Sequence, residues 1–187
     1  MNAKEVAGVF TQLGWTPKRD IDRYAEKETG DRVVRILFTI KDLDDFQKFE
    51  GSHSIRTETF TAAVKEIEGG RGEYNDLLKV NFKNKVRFQE PEITRKHIEI
   101  ACDKAIEWAM SVDIDQRYEE LCSLDPATPG AAGVWHLAAL ALNQHTNKLL
   151  TYQKHFETGD RCGFVNFITK DYIDRAVILA EQNEAGL

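Results

Sequence analysis

The residues able to do chemistry are five histidines, three cysteines and a few clusters of charge. His53, His97, His136, His145 and His155 form no H-E-x-x-H, and no two sit at i, i+4 on one helix. Cys102, Cys122 and Cys162 are widely spaced and contain no C-x-x-C pair, so they read as reduced thiols rather than a disulfide framework. Histidine and cysteine side chains can still meet in space to hold a metal, but the spacing selects no such set. Cys162 lies in no catalytic-cysteine context, and there is no G-x-S-x-G elbow. The sequence therefore points to no cofactor and no metal.

Four weaker clusters remain. His136 follows Trp135 on an apolar stretch, where a lone histidine is more often a satisfied core residue than a ligand or base. Asp160 and Arg161 stand in a connection beside Gly163, as a charged pair lining a cleft or as an ion pair tying the loop down. Asp42, Asp44 and Asp45 lack the spacing, turn glycine and distal Glu of an EF-hand, and N-capping explains them. The cluster Gly69-Gly70-Arg71-Gly72 has the composition of a phosphate loop but leads towards a strand, with no Gly-Lys-Ser/Thr after it.

Charge is distributed unevenly. The chain of 187 residues has a net charge of −6 and is 42% hydrophobic. Residues 1–91 carry 16 basic and 16 acidic side chains, and residues 92–187 carry 9 against 15, so the second half holds the whole deficit. Such a balance disfavours a phosphate-driven partner, which rewards clustered Lys and Arg. The exception is a basic strand face of Lys79, Lys83, Lys85 and Arg87, without aromatics interleaved on it for base stacking.

The elements that must position these residues follow from periodicity. Residues 2–13 predict an amphipathic helix on Val6, Val9, Phe10 and Leu13, ended by Gly14 and Pro17. Residues 21–41 predict a hairpin turning at Thr29-Gly30-Asp31, with a buried second strand. Residues 42–49 read as one or two helical turns capped by Asp42 or Asp44, 52–58 as a strand, and 59 onward as a short helix on Phe60, Val64 and Ile67. Residues 79–88 alternate cleanly, as a strand that ends before Pro91.

Everything after Pro91 reads as helix. One helix starts at Thr94 and runs to about residue 112; the others span 113–124, 131–143, 146–156 and from Thr169 onward. This order predicts an α+β fold: an N-terminal helix, a small antiparallel sheet of about four strands and a helical layer of about five helices. Residues 1–91 form the sheet part and 92–187 the helical part of one integrated domain. The most apolar window, 130–142, falls short of the about 20 residues that a membrane span needs. Residues 1–13 lack the apolar core of a secretory signal, so a cytoplasmic location is expected.

Trp135-His136-Leu137-Ala138-Ala139-Leu140-Ala141-Leu142, Gly159-Asp160-Arg161-Cys162-Gly163-Phe164-Val165-Asn166-Phe167-Ile168-Thr169 and Asp171-Tyr172-Ile173-Asp174-Arg175-Ala176 together resemble the C-terminal part of an uncharacterised bacterial protein family. The resemblance implies a bacterial origin and brings no known activity. Two functions remain open from the sequence. The favoured one is a protein-binding module, chaperone-like or immunity-like by architecture alone. The alternative is an enzyme or small-ligand protein with a site between sheet and helices, drawing on His136, Asp160, Arg161 and Tyr172.

Overall fold

The computed structural model describes residues 1–70 and 75–186. The chain is α+β and divides into two compact units: Met1–Thr57 with Asp76–Val112, and Glu58–Asn75 with Asp113–Leu187. Over the whole sequence the first unit carries 17 basic and 16 acidic side chains and the second 8 and 15, so the negative charge resides in the second.

The first unit begins with α1 (Ala3–Gln12). Asn2 Oδ1 accepts from the Lys4 and Glu5 N–H groups, and the Glu5 carboxylate accepts from Asn2 N at 2.7 Å, so two orphan ends of the helix are satisfied reciprocally. Val6, Val9 and Phe10 are its buried stripe. Gly14 takes the left-handed φ of +76° that reverses the chain, and Trp15 N–H closes the helix on the Phe10 carbonyl at 2.9 Å.

The sheet follows as β1 (Thr16–Arg19), β2 (Arg23–Thr29), β3 (Arg32–Leu43), β4 (Phe46–Arg56), β5 (Leu78–Lys79) and β6 (Val86–Glu90). All pairings are antiparallel, in the order β1-β2-β3-β4, with β5 and β6 sharing the far edge of β4. The inner face presents Ala25, Val34, Ile36, Phe38, Phe49 and Ile55, all buried. Phe10, Phe38, Phe49 and Phe88 form a run of ring contacts at 5.0, 6.3 and 6.3 Å through the core. Helix α3 (Arg95–Ser111) covers this face with Ile98, Ala101, Cys102, Ala105 and Ala109, and its end is held by Arg32, which donates to the Ala109 and Val112 carbonyls.

The second unit is helical: α2 (Glu58–Ile67), α4 (Ile114–Cys122), α5 (Ala132–Leu142), α6 (Thr146–Glu157) and α7 (Lys170–Ala185). Helix α5 is apolar on nearly every side because α2, α4, α6 and α7 all pack on it. Gly133 makes room for Ile168, whose Cγ1 would lie 3.1 Å from any added Cβ. Among the described residues no helix is long and apolar enough to cross a membrane.

Three local readings are corrected. Residues 42–49 are not helical: Asp42 pairs with Gln47 and Leu43 with Phe46, so the aspartates turn a hairpin between β3 and β4. The sheet has six strands rather than about four, partly because Thr16–Arg19 is an edge strand despite Pro17. The stretch 79–88 is not one strand. Asn81 accepts from the Lys83 and Asn84 N–H groups and winds a 3-10 turn over Phe82–Asn84, which splits it into β5 and β6. Of the glycine cluster, Arg71 and Gly72 lie outside the described residues. Gly69 and Gly70 are left-handed and terminate α2, so they close a helix where a phosphate loop would open one.

Candidate binding cleft

Helix α1 presents Ala3, Lys4 and Ala7 towards Pro17, Lys18 and Arg19 of β1. Between them lies a cleft of about 360 Å³, within the first unit. Ala3, Ala7, Pro17 and Phe38 give it an apolar lining, and Lys4, Lys18, Arg19 and Arg23 are its charged groups; no acid lines it. Its volume falls in the range of about 300–1,000 Å³ typical of ligand sites.

Arg19 and Arg23 are paired residues at the end of the β1–β2 hairpin, so the sheet register holds both cations at one rim. The turn between them is closed by Asp20 N–H on the Asp22 carbonyl at 3.0 Å and leaves Ile21 almost wholly exposed. Lys18 is already engaged by Glu26 at 2.7 Å. Lys4, Arg19 and Arg23 make no salt bridge among the described residues. Two further cavities of the same unit, about 440 and 300 Å³, mix basic with acidic lining.

Behind Lys18 the charges are compensated. Glu26 is buried, with Arg35 at 2.8 Å on one carboxylate oxygen and Lys18 on the other. Burial pushes its pKa up, but the Lys18 and Arg35 hydrogen bonds outweigh that and hold it below the usual range. Arg35 also lies 3.9 Å from the Tyr24 ring centroid.

The basic residues expected at one strand face do not form one. Lys79 pairs with Asp76 at 2.6 Å, and Arg87 pairs with Glu50 and donates to the Phe82 carbonyl. Lys83 is in the 3-10 turn and Lys85 follows it. Phe82 is 72% exposed, with Lys85 and Arg87 at 5.2 and 4.3 Å from its ring centroid, so an aromatic does stand among these cations.

The other four candidates lie in the second unit, each with its own partners and no common task. His136 is fully buried on α5. Its Nδ1–H donates to the Leu121 carbonyl at 2.9 Å, because a carbonyl only accepts, and Nε2 then accepts from the Tyr152 hydroxyl at 3.1 Å. Burial lowers its pKa. Arg161 turns inward and donates to the carbonyls of Phe164, Val165 and Ile168. Asp160 turns outward to His155, and Tyr172 lies against Phe167 with Arg175 over its ring. Asp160 and Arg161 do not pair with each other: one secures the end of α6, the other the loop before α7.

The cleft was hidden in the sequence because β1 was. Lys18 and Arg19 fall between the expected helix and the expected hairpin, and Arg23 in the hairpin's first run; with Asp20 and Asp22 among them, their charge gave no signal. The fold and cleft describe an α+β protein with a basic, apolar-floored groove on its sheet-bearing unit. The chain matches the family of unknown function DUF6990 over residues 2–181 and belongs to that family. No curated protein and no solved structure matches it.

Proposed function

We propose that the protein is a cytosolic bacterial binding module that seats an acidic segment of another protein in the α1–β1 cleft. The observation that carries this reading is the cleft's composition: four cations around an apolar floor, three of them without an ion-pair partner among the described residues. Acidic side chains of a partner would meet Lys4, Arg19 and Arg23, and an apolar anchor would cover Ala3, Ala7 and Pro17. Burying one such anchor contributes about 1.5–3 kcal/mol, while the rim charges add steering and register. A nucleic-acid backbone fits less well, since the lining offers no exposed aromatic for a base and the chain as a whole is acidic. A holding role, as in a chaperone, and a neutralising role, as in an immunity protein, both use such a groove.

Photo-crosslinking tests the reading. A benzophenone amino acid placed at Ala7 in the full chain, expressed in its host, should capture a protein through an Asp/Glu-rich segment. The adduct should vanish when Arg19 and Arg23 are both changed to Glu. Equal capture from exposed Lys96, or an adduct that survives the double charge reversal, would overturn it.

A further inference from the structure

We propose that His155, Asp160 and Cys162 form a surface site for a divalent transition metal of the zinc type. One ligand atom from each of the three lies within 4.8 Å of the other two. The sequence disperses them as His-x4-Asp-x-Cys, and the end of α6 gathers them. The chain leaves the helix at Gly159, with φ +85°, and the Asp160 N–H returns to the His155 carbonyl at 2.9 Å, which folds Asp160 back beside the imidazole. Asp160 Oδ2 then lies 2.7 Å from His155 Nδ1, and Oδ1 accepts from the Cys162 N–H at 2.9 Å. Cys162 is left-handed, with φ +51°. The loop beyond it is fixed by Arg161 on three carbonyls, so the thiol is held beside the carboxylate.

The donor set is one nitrogen, one oxygen and one sulfur, the borderline mixture that zinc and its neighbours accept. Tetrahedral coordination with bonds of about 2.0–2.3 Å places ligand atoms about 3.3–3.7 Å apart. His155 Nδ1 and Asp160 Oδ2 stand 2.7 Å apart and no pair of ligand atoms is farther apart than 4.8 Å, so movements of about 1 Å bring the three into that range. His155 and Asp160 are about half exposed, leaving the outer coordination position to water. Binding exchanges the Cys162 S–H bond for a sulfur–metal bond and releases that proton to solvent; the proton that His155 Nδ1 gives to Asp160 moves to Nε2, so the imidazole ligates as the neutral tautomer, and no oxidation state changes. Without a cation, burial and the Asp160 charge both raise the thiol's pKa, which argues against a free nucleophile at this position. A bound cation turns the carboxylate from a destabilising neighbour of the thiolate into a co-ligand. Cys102 and Cys122 do not compete: both are buried, and burial pushes them up to about 12 and about 11.

Cobalt(II) titration of the full chain, first stripped with a chelator, tests the site. We expect one equivalent to bind with a sulfur-to-cobalt charge-transfer band that zinc abolishes. Cys162→Ser should remove the band, and His155→Ala and Asp160→Asn should each weaken binding at least about tenfold. Zinc should also slow alkylation of Cys162 in the unsubstituted protein, a readout that needs no variant to fold. Absence of the band and of protection in the unsubstituted protein, or a band that persists in Cys162→Ser, would overturn the proposal.

Discussion

His136 Nε2 accepts a hydrogen bond from the Tyr152 hydroxyl at 3.1 Å, in the interior of the helical unit. With Nδ1–H given to the Leu121 carbonyl, both ring nitrogens are satisfied and the imidazole is neutral. Tyr152→Phe should therefore destabilise the protein by about 1–2 kcal/mol, because Nε2 loses its donor. The double variant His136→Leu/Tyr152→Phe should cost less than the sum of the two single changes. Denaturant unfolding of the three variants measures this; strict additivity would mean that the pair is not coupled.

Arg161 donates to three carbonyls of the loop that precedes α7 and lies 5.4 Å from the Phe156 ring centroid. A lysine has one compact ammonium and cannot span them. Arg161→Lys should speed amide hydrogen exchange at residues 162–168 and cost about 1–2 kcal/mol. Unchanged exchange in that loop would show that the guanidinium is not its clamp.

His53 is buried beside Trp108, 4.7 Å between ring centroids, and burial lowers its pKa to about 4. The unfolded chain takes up that proton near about 6.5. The stability that neutral His53 contributes is whole above about 6.5 and is lost as pH falls from there towards 4, by up to about 3 kcal/mol. Unfolding free energies at pH 7 and pH 4.5 should differ less in His53→Gln than in the unsubstituted protein; an equal difference would locate the acid sensitivity elsewhere.

Glu26 depends on Arg35 and Lys18. Arg35→Met removes the better-buried partner and should cost about 2–3 kcal/mol, less than a fully enclosed pair because Lys18 remains. The accompanying change Glu26→Gln should recover part of the loss in the same unfolding assay. No recovery would mean that Arg35 acts by packing on Tyr24 rather than by charge.

The helices were legible because their signals are local. Asn2, Thr94 and Thr169 start helices, and Gly14 and Gly159 end them, in the sequence as in the fold. The sheet was legible where a strand is apolar, as in Val33–Ile40, and not where pairing alone decides. Asp42-Leu43-Asp44-Asp45-Phe46 has the composition of a capped helix, yet the ladder of Leu43 on Phe46 and Asp42 on Gln47 makes it a hairpin. The alternation across 79–88 was overridden by one side chain, Asn81, bonding its own backbone. The cleft required α1, β1, β2 and β3 at once, and no spacing along the chain records that. The His155, Asp160 and Cys162 cluster was closer to view, but only the left-handed Gly159 shows how the three meet.

In the proposed function the α1–β1 cleft takes an acidic segment with an apolar anchor. An NMR titration of the full chain with a synthetic peptide of Asp and Glu interspersed with Leu and Phe tests it most directly. Shifts should be confined to the amides of Ala3, Lys4, Ala7, Lys18, Arg19 and Arg23, fade with added salt, and weaken at least about tenfold in Arg19→Glu/Arg23→Glu. No shifts in the cleft, or shifts gathered at Lys79, Lys83, Lys85 and Arg87 instead, would contradict it.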